Sequence, residues 1–233
     1  MSNPAPAYIS VPIHELRDET PAHVHLSLHA PAEFLAAYKQ PGQYVQILMP
    51  GLKPGFYAIA NGPSRERLEL LIKRGAPASD AIAALKAGDT LQATAPGGNG
   101  YPLHHAQSRD AFVVGAGSGI APLRALLHTL LARRSDFGAI HFIYGARHPG
   151  LIPYASELEA WHAAGVRVDR VISQPDAGAW SGATGHVQDL LRANKPEAAN
   201  AVAFVCGMKP LVEGVKAAFA ELGLNAERVY QNF

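Results

Sequence analysis

The run Val113-Val114-Gly115-Ala116-Gly117-Ser118-Gly119-Ile120-Ala121-Pro122-Leu123-Arg124 sets the tightest limit on what this chain can become. An apolar stretch ends in three closely spaced glycines, and an Ala/Leu-rich helical pattern follows. Glycine lacks a Cβ, so the backbone turns sharply and brings its N–H groups close to a phosphate. A helix starting just after such a turn adds unpaired amide donors and a partial positive charge. The pattern suits a dinucleotide pyrophosphate. It departs from the G-x-G-x-x-G spacing, because Ile120 stands where the third glycine belongs. Pro122 falls near the first helical turn, where a missing N–H is harmless. A tight strand-to-helix turn in any α/β domain would share these traits, so the rest of the chain decides.

Composition removes several classes. The 233 residues suit one large domain or two small ones. With 48% hydrophobic and 17% charged residues, the balance is that of a globular protein. A net charge of +1 gives no electrostatic case for nucleic acid or a membrane surface. No apolar run approaches the ~20 residues of a membrane span. Met1-Ser2-Asn3-Pro4 begins no recognisable secretory signal, so a cytoplasmic protein is expected. The one cysteine, Cys206, excludes an internal disulfide and any cluster held by several thiolates of this chain. His23-x-His25 and His104-His105 lack companions for a metal site and read as surface or turn histidines.

The chain changes character near residue 108. Before it, short strands are expected over 8–13, 23–28, 44–49, 56–60, 68–73 and 90–93, most of them separated by Pro, Gly or Asn, as in a small antiparallel barrel. Short helices are expected over 33–38 and 79–85, the second with Ser79 as N-cap and Gly88 as stop. Pro96 to Pro102 is loop chemistry. After it, strands over 111–114, 139–144, 166–172, 202–206 and 228–230 alternate with helices over 122–133, 154–164, 187–193 and 209–222. Such alternation predicts a mostly parallel sheet covered by helices, with ligands outside the C-terminal strand ends. Gly115, Gly145 and Gly207 each follow an apolar strand and would outline one crevice. The expected domains are 1–107 and 108–233.

Taken in order, Gly42-Gln43-Tyr44-Val45, Phe56-Tyr57-Ala58-Ile59-Ala60-Asn61, Gly115 to Pro122, Tyr144-Gly145-Ala146-Arg147, Val205-Cys206-Gly207-Met208-Lys209-Pro210 and the terminal Asn232-Phe233 resemble the ferredoxin–NADP⁺ reductase superfamily. The match is closest to its branch without an iron–sulfur module. The resemblance implies an N-terminal β-barrel that binds a flavin and a C-terminal α/β domain that binds NAD(P)H. It sets Tyr57 against the isoalloxazine, with Phe56 and Ala58, Ile59 and Ala60 beside the ring. Ile72-Lys73-Arg74 and the segment through Ala78 and Ser79 would handle the flavin phosphates. Two cations ahead of a helix start suit that task. Gly115, Gly117, Ser118, Gly119, Ile120 and Pro122 would face the nucleotide pyrophosphate and ribose. Cys206, Gly207 and Met208 would flank the nicotinamide, with Tyr144, Gly145, Arg147 and Ser173 completing the nucleotide site. Phe233 would pack on the rings. Tyr57, Cys206 and Phe233 are thus the residues nearest the chemistry.

The sequence also departs from the family. Its Arg-x-Tyr-Ser pattern reads Gly55-Phe56-Tyr57-Ala58 here, which removes the arginine that grips the flavin phosphate and a hydroxyl near the reacting ring. Lys53, Lys73 or Arg74 would have to supply the charge. The flavin is FAD or FMN. No acidic residue ends the 139–144 strand, Arg147 and Ser173 suit a 2′-phosphate, and Gln174 stands where NADP-preferring relatives often carry a second Arg. NADH and NADPH therefore both stay open. The expected function is electron transfer from NAD(P)H through a flavin to an unidentified acceptor, a redox protein among the candidates. The other readings are a flavin electron-transfer subunit of a larger redox complex and a nucleotide-binding sensor that has lost its flavin.

Overall fold

The computed structural model describes residues 6–63, 66–176, 178 and 180–232. The first half contains β1 (Ile9–Thr20), β2 (His23–Leu28), α1 (Ala32–Ala37), β3 (Tyr44–Leu48), β4 (Gly55–Ala58), β5 (Leu68–Lys73), α2 (Pro77–Ala83) and β6 (Thr90–Ala93). Its strands form one antiparallel sheet in the order β4-β3-β6-β1-β2-β5. A bridge between Ile59 and Leu70 joins the two edges, so the sheet closes into a barrel. Val11, Leu26, Val45, Ile47, Leu70 and Ile72 fill its interior.

The second half contains β7 (Ala111–Ala116), α3 (Ile120–Ala132), β8 (Ile140–Ala146), α4 (Leu158–Ala163), β9 (Val166–Ile172), β10 (Ala183–Thr184), α5 (Val187–Asn194), β11 (Val202–Cys206), α6 (Lys209–Glu221) and β12 (Val229–Tyr230). Every strand pair is parallel, in the order β10-β9-β8-β7-β11-β12. Both faces are covered. Val113 and Phe142 pack on the α3 side, while Phe112, Val114 and Ile143 pack on the α5 and α6 side. That two-sided burial explains the unbroken apolar runs. From β7 the chain proceeds first through β8 and β9 on one side and later to β11 on the other. The reversal opens a crevice at the C-terminal ends of β7 and β11.

Several expectations are corrected. β1 runs on to Thr20, because its charged second half pairs with β2 over a bulge rather than forming a loop. Ser79 is not an N-cap: α2 starts at Pro77, and the Ser79 hydroxyl donates back to the Ala76 carbonyl at 3.0 Å. Gly88 stands in the turn before β6 with φ +90°, beyond the helix end. The helix expected from Tyr154 starts at Leu158. Tyr154 itself is left-handed (φ 55°), with its N–H donating to Glu19 Oε1 at 2.7 Å and its ring buried between the halves. His23 and His25 are buried and not surface residues, since both lie on the face of β2 turned to the second half. Gly145 lies within β8, where a Cβ would meet Val187 Cγ2 at 2.8 Å, so it serves helix packing and not the crevice.

Candidate functional site

The crevice at β7 and β11 faces the barrel across a cavity of about 800 Å³. One wall belongs to β3, β4, β5 and α2: Tyr44, Phe56, Tyr57, Ala58, Leu71, Lys73 and Ser79. Successive strand residues point to opposite faces, so Leu71 and Lys73 look outward while Leu70 and Ile72 fill the barrel. Phe56 projects with 64% of its surface exposed and packs edge-on against Tyr44, ring centres 5.3 Å apart. Tyr57 is half-sunk, and burial raises its hydroxyl above the ordinary range.

The opposite wall is Gly117, Ser118, Gly119, Ala121 and Pro122, followed by Cys206, Gly207 and Met208. Each glycine of the turn has its own reason. Gly117 takes φ +57°, and the Tyr144 hydroxyl donates to its carbonyl at 2.7 Å. Gly119 and Gly115 are bare because the Cys206 carbonyl crosses over them: a Cβ would stand 2.6 and 2.5 Å from that oxygen, respectively. No side chain caps α3, and the Ile120 N–H is taken by the Gly117 and Ser118 carbonyls of the glycine turn that leads into it. The Cys206 thiol lies on the wall, and burial pushes it up to about 11, so it is a neutral thiol near neutrality.

Among the described residues, Lys73 is the one charged side chain on either wall. Arg74 is drawn away to Asp18 at 2.5 Å, and Lys53 is exposed off the wall. Ile59, Ala60 and Ile72 are enclosed, and Ala78 stands beside the wall without lining it. The Ala60 N–H donates to the Glu69 carbonyl and its own carbonyl accepts from Arg124. Gly115 and Ile120 are buried behind the turn. Arg147 and Ser173 meet at the ends of β8 and β9, where Ser173 N–H donates to the Ala146 carbonyl and Gln174 N–H to the Arg147 carbonyl. They stand away from the main cavity, near Trp180 under Arg170 (5.2 Å) and the His148–Asp176 pair (2.8 Å). Phe233 lies outside the described residues.

Sequence reasoning gave Tyr44, Leu71 and Asn232 no place on the wall. Asn232 is buried, with Nδ2 donating to the Gly42 carbonyl at 3.1 Å and Oδ1 without a partner among the described residues. Its position beside Gly42, 190 residues earlier, leaves no local signal.

A cavity with aromatic and aliphatic sides, one cation and a glycine turn leading into a helix fits two planar rings carrying phosphates. Residues 113–217 match the family model described as the oxidoreductase NAD-binding domain. The sequence is 28% identical over 196 residues to the gamma subunit of sulfhydrogenase 1 from Pyrococcus furiosus, covering 82% of this chain and 66% of that protein. It is 29% identical over 194 residues to reductase component 1 of a Comamonas terephthalate 1,2-dioxygenase, covering 81% of this chain and 57% of that one. This chain thus spans a little over half to just under two thirds of the length of these curated relatives. The fold superposes on a ferredoxin NADP⁺ reductase from Neisseria gonorrhoeae with bound FAD and NADP, with a TM-score of 0.81 and 19% identity, over 97% of this chain and 99% of that one.

Proposed function

We propose that this chain, whose residues 113–217 match the oxidoreductase NAD-binding domain and whose fold superposes on a ferredoxin NADP⁺ reductase, carries electrons from NAD(P)H through a flavin to a separate redox protein. The observation that carries this reading is the pairing of the two walls: a barrel face with Tyr57 and Lys73 opposes a glycine turn and the Cys206 strand end across one cavity. It is an NAD(P)H-dependent flavin oxidoreductase with FAD and NAD(P)H as its cofactors. When bound, these supply the chemistry, a hydride passing from nicotinamide to flavin and electrons onward to the acceptor.

The chain's own residues bind, orient and exclude water. Residues 1–107 hold the flavin and 108–233 the nucleotide. Tyr57 and Ala58 would pack against the flavin, and Phe56 with Tyr44 would bound it at the cavity mouth. Lys73 meets the phosphate charge in place of the absent arginine at position 55, with Ser79 beside it. Gly117, Ser118 and Gly119 present amides to the second nucleotide, and Cys206, Gly207 and Met208 bound its reacting end. The neutral thiol packs against the ring and takes no nucleophilic part. The two walls would bring the cofactors together and exclude water, and no side chain on either wall is given an acid or base role.

A separate protein acceptor is supported by the relatives, one named as a subunit and the other as a reductase component. No helix among the described residues is long and apolar enough to cross a membrane. The test is reduction of ferricyanide by the FAD-loaded chain with NADH or NADPH. Turnover with one nucleotide supports the reading, and a loaded protein inert with both contradicts it.

A further inference from the structure

Arg124 has no place on either wall, yet it joins them. It sits one turn into α3, the helix that starts at the glycine turn, and is only 8% exposed. A buried guanidinium is tolerated when its donors are paired. Here Nε donates to Glu157 Oε1 at 2.7 Å, within its own half. Nη1 crosses to the barrel, donating to the Ala60 carbonyl at 2.9 Å and to Glu69 Oε2 at 2.7 Å. The Tyr154 ring covers the guanidinium face at 4.4 Å.

The crossing partners are placed tellingly. Ala60 lies two residues beyond β4, which carries Phe56 and Tyr57. Glu69 lies in β5, two residues before Leu71 and four before Lys73. One nitrogen therefore holds both strands of the barrel wall against the helix of the opposite wall. A guanidinium is rigid and planar, so a sliding of either wall breaks its fork geometry. Transfer between two rings is sensitive to their separation, and a misplacement of about 1 Å costs on the order of a hundredfold in rate.

We propose that Arg124 is a positioning residue that sets the spacing of the two cofactor walls through Ala60 and Glu69. This rests on the reading of the cavity as a flavin and nicotinamide site. Glu69 and Glu157 permit a matched test, because each gives one carboxylate to the same guanidinium and only Glu69 belongs to the barrel. Glu69→Ala, Glu157→Ala and Arg124→Lys would be loaded with FAD. Three quantities would be read: dissociation constants for FAD and oxidised nucleotide, the long-wavelength absorbance of stacked rings, and the flavin reduction rate at saturating NAD(P)H.

Glu69→Ala is expected to slow reduction at least tenfold and weaken the stacking absorbance, with both dissociation constants within about threefold of the parent. Arg124→Lys, which keeps the charge without the fork, is expected to fall between. Glu157→Ala is expected to stay within about threefold in rate. Equal slowing by both alanine variants, in step with lost thermal stability, would overturn the proposal, as would unchanged reduction in Glu69→Ala. If Glu69→Ala does not fold, Glu69→Gln decides by the same comparison. A parent protein that binds no flavin or is not reduced by NAD(P)H would overturn the functional reading and this proposal together. Normal reduction in both parent and Glu69→Ala overturns the proposal alone.

Discussion

The Tyr57 ring lies over the α-carbon of Gly55, so close that a Cβ at Gly55 would stand 2.6 Å from the Tyr57 hydroxyl. The strand has given up a side chain at position 55 and gained an aromatic cover at 57. Any residue larger than glycine must push that ring aside. Gly55→Ala is therefore expected to weaken FAD binding several-fold, and Gly55→Arg, which restores the family arginine, to weaken it further. Fluorescence quenching of FAD by the apoprotein measures this. Tighter binding by Gly55→Arg would contradict the account.

Lys73 stands alone as the charge on the cavity walls among the described residues. A charge-assisted contact to phosphate contributes about 1.5–3 kcal/mol. Lys73→Ala should then raise the FAD dissociation constant about 10- to 100-fold and flatten its dependence on salt. Arg74→Ala should change it little, since Arg74 is committed to Asp18. Isothermal titration at two ionic strengths separates the two variants.

Cys206 is raised to about 11 by burial, so about one thiol in a thousand is ionised at pH 8. Alkylation by iodoacetamide should be slow at pH 8 and rise about tenfold per pH unit towards 11. Bound NAD(P)H should protect it. Rapid alkylation at pH 7 would show an activated thiol and contradict the packing role given to it.

His23 is buried and its imidazole is lowered to about 4, chiefly by burial and then by Lys73, against a partial opposing effect from Glu19. Its Nδ1 meets Thr20 Oγ1 at 2.9 Å, and Nε2 has no partner among the described residues. Below pH 6.5 the unfolded chain takes up a proton that the folded chain refuses until about pH 4. This group's contribution is complete above pH 6.5 and falls between 6.5 and 4, by at most about 1.4 kcal/mol per pH unit. His23→Leu should make the acid limb of urea-melt stability shallower. An unchanged slope between pH 6.5 and 4 would count against it.

Much of the architecture was written locally. β2, β5, β9 and β11 have the boundaries their apolar or alternating patterns predict, because glycines, prolines or polar turns bracket them. The glycine turn and the Cys-Gly strand end lie at one crevice because parallel strands bring their C-terminal ends to one side. What stayed hidden depends on distant partners. The left-handed Tyr154 answers to Glu19 and His25, 135 and 129 residues away. Arg124 looks like a surface residue in an Ala/Leu-rich helix, and its burial depends on distant partners: Ala60 and Glu69, 64 and 55 residues earlier, Glu157, 33 residues later, and the covering Tyr154 ring. Arg74 and Lys73 are alike in sequence, and the position of Asp18 separates their roles.

The central claim is that one cavity holds a flavin facing a nicotinamide. It is tested most directly by the visible spectrum of the purified protein, loaded with FAD and titrated anaerobically with NADH and then NADPH. The account predicts flavin bands that bleach stoichiometrically with at least one nucleotide. A protein that takes up neither FAD nor FMN, or a bound flavin that neither nucleotide bleaches, would contradict it.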